Sequence, residues 1–243
     1  MSRPVTTRLA CLFLGLALVG AFACARSEAP KEAAGSAAVP RAEAPRSVAT
    51  QTENSSATLP RIVFLGDSLT AGLGIAKEQA VPALIQERLR QEGYAYETVN
   101  AGNSGDTSDG GLSRLDWSLA GPVEVLVIEL GANDGLRGIS PERTRQNLGS
   151  IIGTAKARGI TVLLTGMEAP PNYGAAYTNE FRQTFRDVAA REHVAFMPFF
   201  LEGVAGIPTL NQPDGVHPTP EGARIVADNV WRYLKPLLKK TQS

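Results

Sequence analysis

Cysteine is almost missing from this chain of 243 residues: the only two are Cys11 and Cys24, both near the N terminus. From residue 60 onward no disulfide can form and no thiolate is available to a metal. Histidine is equally scarce, with only His193 and His217. A zinc site of the usual ligand set is hard to build from these donors, so no metal and no cofactor are expected. An excess of charge is missing as well. The 24 Lys and Arg balance the 24 Asp and Glu, and neither sign forms a block that would neutralise a phosphate backbone, so no nucleic-acid partner is expected. Nucleotide-binding loops are also absent. The run Gly72-Leu73-Gly74 comes after a strand-like segment, but Lys77 stands where a dinucleotide fingerprint needs its third glycine, and no phosphate-loop Gly-Lys-Ser/Thr occurs. No internal repeat is visible.

What is present begins with Arg3 and Arg8 ahead of an alanine-rich apolar stretch over 9–23, too short for a comfortable membrane span. It reads as a secretory signal, residues 1–23, with an uncleaved anchor as the alternative; both export the remainder of the chain. Cys24 comes directly after Ala21-Phe22-Ala23. The small residues suit a bacterial lipoprotein site, in which Cys24 becomes the lipidated first residue, and equally a plain cleavage after Ala23. Residues 24–59 are rich in Ala, Pro, Ser, Glu and Thr, have almost no large apolar side chains, and read as a disordered tether. A tether behind a cysteine suits an enzyme held at a membrane surface, which favours lipidation of Cys24 and a periplasmic, membrane-anchored location.

Residues 60–243 form one expected domain. With 43% hydrophobic and 20% charged residues, the chain can bury a sizeable core. Apolar runs of strand length at 62–65, 96–99, 123–130, 160–165 and 194–199 alternate with stretches of helical period. Val81, Leu84, Ile85, Arg88 and Leu89 mark one helix that Gly93 closes. Thr219 as N-cap and Pro220 at the first helical position open the last, with Ala223, Val226, Ala227, Val230, Trp231 and Leu234 on its apolar face. Strands that are apolar throughout and separated by helices predict a doubly wound α/β domain, a three-layer sandwich around a five-stranded parallel sheet. No long apolar surface stripe argues for a dimer, so a monomer is expected.

In such a sheet, ligands bind beyond the carboxyl ends of the strands. There the sequence collects Gly66-Asp67-Ser68, Asn103-Ser104-Gly105-Asp106, Gly131-Ala132-Asn133-Asp134, Glu168-Ala169-Pro170 and Asp214-Gly215-Val216-His217. A serine hydroxyl becomes a nucleophile when an imidazole, oriented by a carboxylate, takes its proton. His193 sits in a charged helical stretch as a surface or helix-end residue, which leaves His217 as the base, with Asp214 three residues before it. Negative charge developing on a carbonyl oxygen needs donors. The Gly105 N–H, the Asn133 amide and the Ser68 N–H are the candidates. Taken singly, Asp214-Gly215 and Gly105 also read as turns and Asn133 as a cap; their collection on one edge is what points to chemistry.

These residues fall in longer runs. Phe64-Leu65-Gly66-Asp67-Ser68-Leu69, Ser104-Gly105-Asp106-Thr107-Ser108, Glu129-Leu130-Gly131-Ala132-Asn133-Asp134-Gly135-Leu136-Arg137-Gly138 and Asp214-Gly215-Val216-His217-Pro218 resemble the four blocks of the SGNH or GDSL hydrolases, in their bacterial acyl-CoA thioesterase, lysophospholipase and arylesterase group. The resemblance covers about residues 61–237. It implies a flavodoxin-like fold, a triad of Ser68, Asp214 and His217, and an oxyanion hole from Ser68, Gly105 and Asn133. It further implies that a loop over 134–139, with Asp134, Leu136 and Ile139, shapes an acyl pocket that Pro171 and Tyr173 line. Ala132 stands where glycine is common, and Gly102-Asn103 varies the approach to the second block, which bears on substrate preference. The expected substrate is a small acyl ester or thioester, including lysophospholipid, cleaved through an acyl-serine. The alternatives are a carbohydrate O-acetylesterase and a catalytically inactive binding protein of the same fold.

Overall fold

The structure, a computed structural model, describes residues 58–240. The expected signal, Cys24 and the tether as far as residue 57 lie outside the described residues. Strand β1 (Arg61–Gly66) is the run Ile62 to Leu65, each residue at most 1% exposed. A single turn, α1 (Ser68–Ala71), comes next, and α2 (Val81–Glu92) then leads to β2 (Glu97–Gly102). Two short helices, α3 (Ser108–Ser113) and α4 (Leu115–Ser118), precede β3 (Val123–Glu129). The chain continues through α5 (Ala132–Leu136), α6 (Pro141–Ala157), β4 (Thr161–Thr165), α7 (Ala175–Glu192), β5 (Ala195–Met197) and α8 (Pro220–Leu234).

All five strands are parallel, in the order β2-β1-β3-β4-β5. The order reverses direction between β1 and β3, and the crevice beyond their carboxyl ends is where a doubly wound sheet holds its ligand. Helix α2 packs with α8, while α6 packs with α7 and α3. Right-handed crossovers put these two groups on opposite faces of the sheet. Both faces are thus covered, which is why β1 and β3 can be apolar throughout.

Several strand boundaries differ from those expected. Strand β2 begins at Glu97 and runs on to Gly102, because register pairing with β1 continues through Leu65–Ala101 and Gly66–Gly102. The pairing overrides the poor strand propensity of Asn100 and Gly102. Tyr96 instead leaves the strand, 3% exposed, and its hydroxyl accepts from the Lys239 N–H. Strand β5 is only three residues long. Pro198 has no N–H to extend it, and the carbonyl of Met197 accepts from Gly166. In β3 and β4 the ends shift by one residue. Helix α8 opens as its sequence implies: the Thr219 hydroxyl accepts from the Gly222 N–H, and Pro220 occupies the first position.

Candidate active site

The first strand delivers its residues to the switch point through a tight turn. Gly66 is required there, since a Cβ on it would lie 2.0 Å from Thr70 Oγ1 and 2.6 Å from Glu129 Oε2. Asp67 caps α1, its Oδ1 accepting from the Leu69 N–H at 2.9 Å. This cap lifts half-buried Ser68 to the surface of the crevice at the start of the helical turn.

His217 reaches Ser68 from the far end of the chain. Its Nε2 lies 2.8 Å from Ser68 Oγ, and its Nδ1 lies 2.8 Å from Asp214 Oδ2. The other oxygen of Asp214 accepts from the backbone N–H groups of Val216 and His217, at 2.9 and 3.0 Å. Those backbone bonds, with the ring behind them, lower the Asp214 pKa to about 2. Asp214 therefore stays ionised wherever an imidazole can act as a base, and it fixes the tautomer that presents a bare Nε2 to the serine. This chain of groups can take a proton from Ser68 Oγ.

The loop carrying His217 is clamped by residues the sequence reading does not single out. Asn211 Nδ2 donates to the carbonyls of Val204 and Ile207. Gln212 Nε2 donates to Leu73 O at 2.8 Å and Pro218 O at 3.0 Å, and so ties the histidine loop to the segment just beyond α1. Neither residue type carries a distinctive local signal, because the partners are distant in sequence. His193, by contrast, is the exposed C-cap of α7, in the left-handed region with φ 54°.

Donors gather opposite the histidine. Gly105 has φ 88°, a conformation that favours glycine, and its N–H has no protein acceptor among the described residues; nor has that of Ser68. Asn133, in α5, is held from two sides: its Nδ2 donates to Asp67 Oδ2 at 3.1 Å and to Asp106 O at 3.0 Å. The amide is thus fixed in place, and an oxyanion beside it would share one of its two hydrogens. Arg114 supports this side, donating to Asp106 Oδ2 at 2.6 Å and to Gly66 O at 2.8 Å.

Beneath the serine turn lies a second carboxyl group. Glu129, the last residue of β3, is fully buried. Its Oε2 accepts from Thr70 Oγ1 at 2.7 Å and the Asp67 N–H at 3.2 Å. A lone acidic residue closing an apolar strand is the signal available in the sequence, since charged residues are almost never fully buried without a reason. Burial raises the Asp67 pKa to about 6, against the lowering effect of the Leu69 N–H and the Asn133 amide. Glu129 is pushed well above 4.5, first by burial and then by the Asp67 charge. Groups with raised folded-state pKa values give stability that is complete below their unfolded values and is lost as pH rises through the folded ones. Asp214 acts oppositely, its contribution lost only as pH falls toward about 2. The melting temperature is therefore expected to be higher at about pH 5 than at about pH 7, and Glu129→Gln should flatten that slope. Thermal melts across this range check it; an equal slope in the variant would remove Glu129 as its source.

Beside the serine opens a cavity of about 510 Å³ whose walls include Leu69, Leu136, Met167, Pro171, Phe199 and Val216. Of the five residues expected to shape an acyl pocket, Leu136 and Pro171 line it. Asp134 does not. It is fully buried, accepting from the Ser108 N–H at 2.8 Å and from Thr144 Oγ1 at 3.1 Å, and it pins α3 and α6 to α5. The expected loop over 134–139 is partly the helix α5. Ile139 and Tyr173 also stay off the cavity wall. Tyr173 donates its hydroxyl to Leu136 O at 2.8 Å and Tyr177 to Ile139 O at 2.7 Å, so the two rings brace the turn from outside. Among the described residues, no group of three His, Cys, Asp or Glu converges as a metal site.

Comparison with known proteins places this geometry. The model of the GDSL-like Lipase/Acylhydrolase family matches residues 64–225. Esterase TesA of Pseudomonas aeruginosa is 49% identical over 183 residues, spanning 75% of this chain and 91% of the relative. Thioesterase 1/protease 1/lysophospholipase L1 of Escherichia coli is 38% identical over 185 residues, spanning 75% and 87%. The crystal structure of TesA superposes with a TM-score of 0.71 at 49% identity, covering 73% of this chain and 99% of that one.

Proposed function

This chain belongs to the GDSL-like Lipase/Acylhydrolase family and is an esterase of the hydrolase class, and from that premise we propose how its residues divide the work. The single observation that carries the proposal is the line Asp214 Oδ2, His217 Nδ1, His217 Nε2 and Ser68 Oγ, with both contacts at 2.8 Å. His217 Nε2 takes the Ser68 proton as Oγ bonds to the carbonyl carbon, and the carbonyl π pair moves onto oxygen. The Ser68 and Gly105 N–H groups and the Asn133 amide receive that charge. When the tetrahedral adduct collapses, the alcohol or thiol leaves with the proton from His217, and acyl-Ser68 remains. Water, deprotonated by the same ring, repeats the sequence and frees the acid. Asp214 stays ionised throughout and stabilises the imidazolium.

Labelling by a fluorophosphonate probe, read by intact-protein mass spectrometry, tests the nucleophile. An unlabelled wild type would end the proposal and favour an inactive binding protein; equal labelling of Ser68→Ala would end it by placing the nucleophile elsewhere. Asn133→Ala is expected to lower kcat by about 10² to 10³ with little change in KM, because the amide acts on charge that exists only in the transition state. Steady-state kinetics on an aryl ester check it.

The apolar walls of the cavity favour acyl and aryl esters, thioesters and lysophospholipids over acetylated carbohydrate, whose hydroxyls would find few partners there. A chain-length series of p-nitrophenyl esters set against acetylated sugars separates the two readings. Faster turnover of the sugars would reverse the assignment. The enzyme acts as a monomer outside the cytoplasm, exported by residues 1–23 and tethered through lipidated Cys24. No helix among the described residues is long and apolar enough to cross a membrane. Palmitate incorporation lost in Cys24→Ala is the expected result; unlipidated mature protein would exclude the tether.

A further inference from the structure

Among the buried ionisable groups that the mechanism leaves unused, Glu129 sits directly behind the nucleophile. Glu129 closes the strand beside β1 and touches no space that substrate can enter. Its Oε2 is committed to Thr70 Oγ1 and the Asp67 N–H. Its Oε1 is buried without any partner, one of two such side-chain atoms among the described residues. An orphaned carboxylate oxygen in an apolar interior is costly, and it ceases to be an orphaned acceptor if it carries a proton and donates.

The acceptor for that proton is at hand. Glu129 Oε2 accepts from the Asp67 N–H at 3.2 Å, which brings the two buried carboxyl groups beside each other, and two neighbouring carboxyl groups share a hydrogen bond only when one of them is protonated. The donors around the pair decide which. Asp67 receives the Leu69 N–H on Oδ1 and the Asn133 amide on Oδ2, so both oxygens are occupied as acceptors. Glu129 has donors on one oxygen only. The proton therefore belongs on Glu129 Oε1, which leaves every observed bond intact.

We propose that Glu129 is a positioning residue of the oxyanion site: as a neutral acid it donates to the Asp67 carboxylate, fixing the oxygens that hold the Ser68 turn and the Asn133 amide. The path runs from Glu129 through Asp67 to two groups that meet the reacting carbonyl. His217 contacts Ser68, the residue that follows Asp67, and the Arg114–Asp106 pair holds the other side of Asn133. Neither can replace a donor buried beneath the turn. This role of Glu129 rests on Asn133 serving as an oxyanion donor.

Two substitutions and one spectrum test it. Glu129→Gln supplies an amide donor toward Asp67 and one oxygen for Thr70 and the Asp67 N–H; its kcat should stay within about threefold of wild type. Glu129→Met fills the space without a donor, and kcat should fall by about tenfold or more while KM and the labelling of Ser68 persist. Infrared difference spectra of the wild type under mildly alkaline conditions should contain a protonated carboxylic-acid carbonyl band that Glu129→Gln removes. Wild-type protein without that band overturns the proposal, as does a Met variant with normal kcat or a Gln variant as impaired as Met. Should Glu129→Met fail to fold, the spectra of wild type and Glu129→Gln decide alone. Loss of Ser68 labelling in the wild type would instead strike the functional assignment, so the two failures are distinguishable.

Discussion

Ser68→Ala is expected to lower kcat by about 10⁵ or more, with KM for an aryl ester nearly unchanged. The size reflects the chemistry removed. Without Oγ no acyl-enzyme forms, and the remaining route is direct attack by water, which must enter the same crevice with no covalent step to divide its barrier. The donors at Gly105 and Asn133 would persist, so a residual rate above the uncatalysed one is expected. Because Ser68 is only half-buried, the melting temperature should move little. The measurement is burst-phase kinetics on a p-nitrophenyl ester: the wild type should release a stoichiometric burst of p-nitrophenol and the variant none. A burst in the variant would place the nucleophile elsewhere.

His217→Ala is the second large effect, with kcat expected to fall by about 10³ or more. In the proposed mechanism the ring serves twice, as base toward Ser68 and as acid toward the leaving group, so both acylation and deacylation should slow. Its removal leaves Asp214 ionised, still bonded by the N–H groups of its own loop, and near a serine it cannot reach. The backbone of the loop should hold, since the Gln212 bonds to Leu73 and Pro218 do not involve the ring. Added imidazole should restore part of the activity of this variant by occupying the vacated space. Near-normal turnover without it would remove His217 from the mechanism.

Which parts of this arrangement can be read from the chain depends on how local their causes are. Strands β1 and β3 are legible because burial on both faces makes them apolar throughout, and α8 because Thr219 and Pro220 announce its start. The end of β2 is not, since Asn100 to Gly102 become a strand only by pairing with β1. In the candidate site, Ser68, Gly105 and Asn133 stand out as small or polar groups just after strands, and His217 as one of only two histidines. Asp134 misleads for the same reason: a polar residue next to Asn133 suggests a ligand contact, whereas its neighbours Ser108 and Thr144 arrive from other helices and close over it. Gln212 and Arg114 are invisible in the sequence because their meaning lies in carbonyls of Leu73 and Gly66, far away along the chain. Glu129 is visible as an anomaly, but only its depth beneath the serine turn gives the anomaly a use.

The partnership of Ser68 with His217 joins residues 149 positions apart. Synthesis supplies the serine 149 residues before the histidine, and over that interval Ser68 is an ordinary alcohol. Only when residues 211–218 dock against the segment after α1 does it meet a base. By the proposed mechanism, a chain cut short before residue 217 would carry Ser68 without the base that activates it.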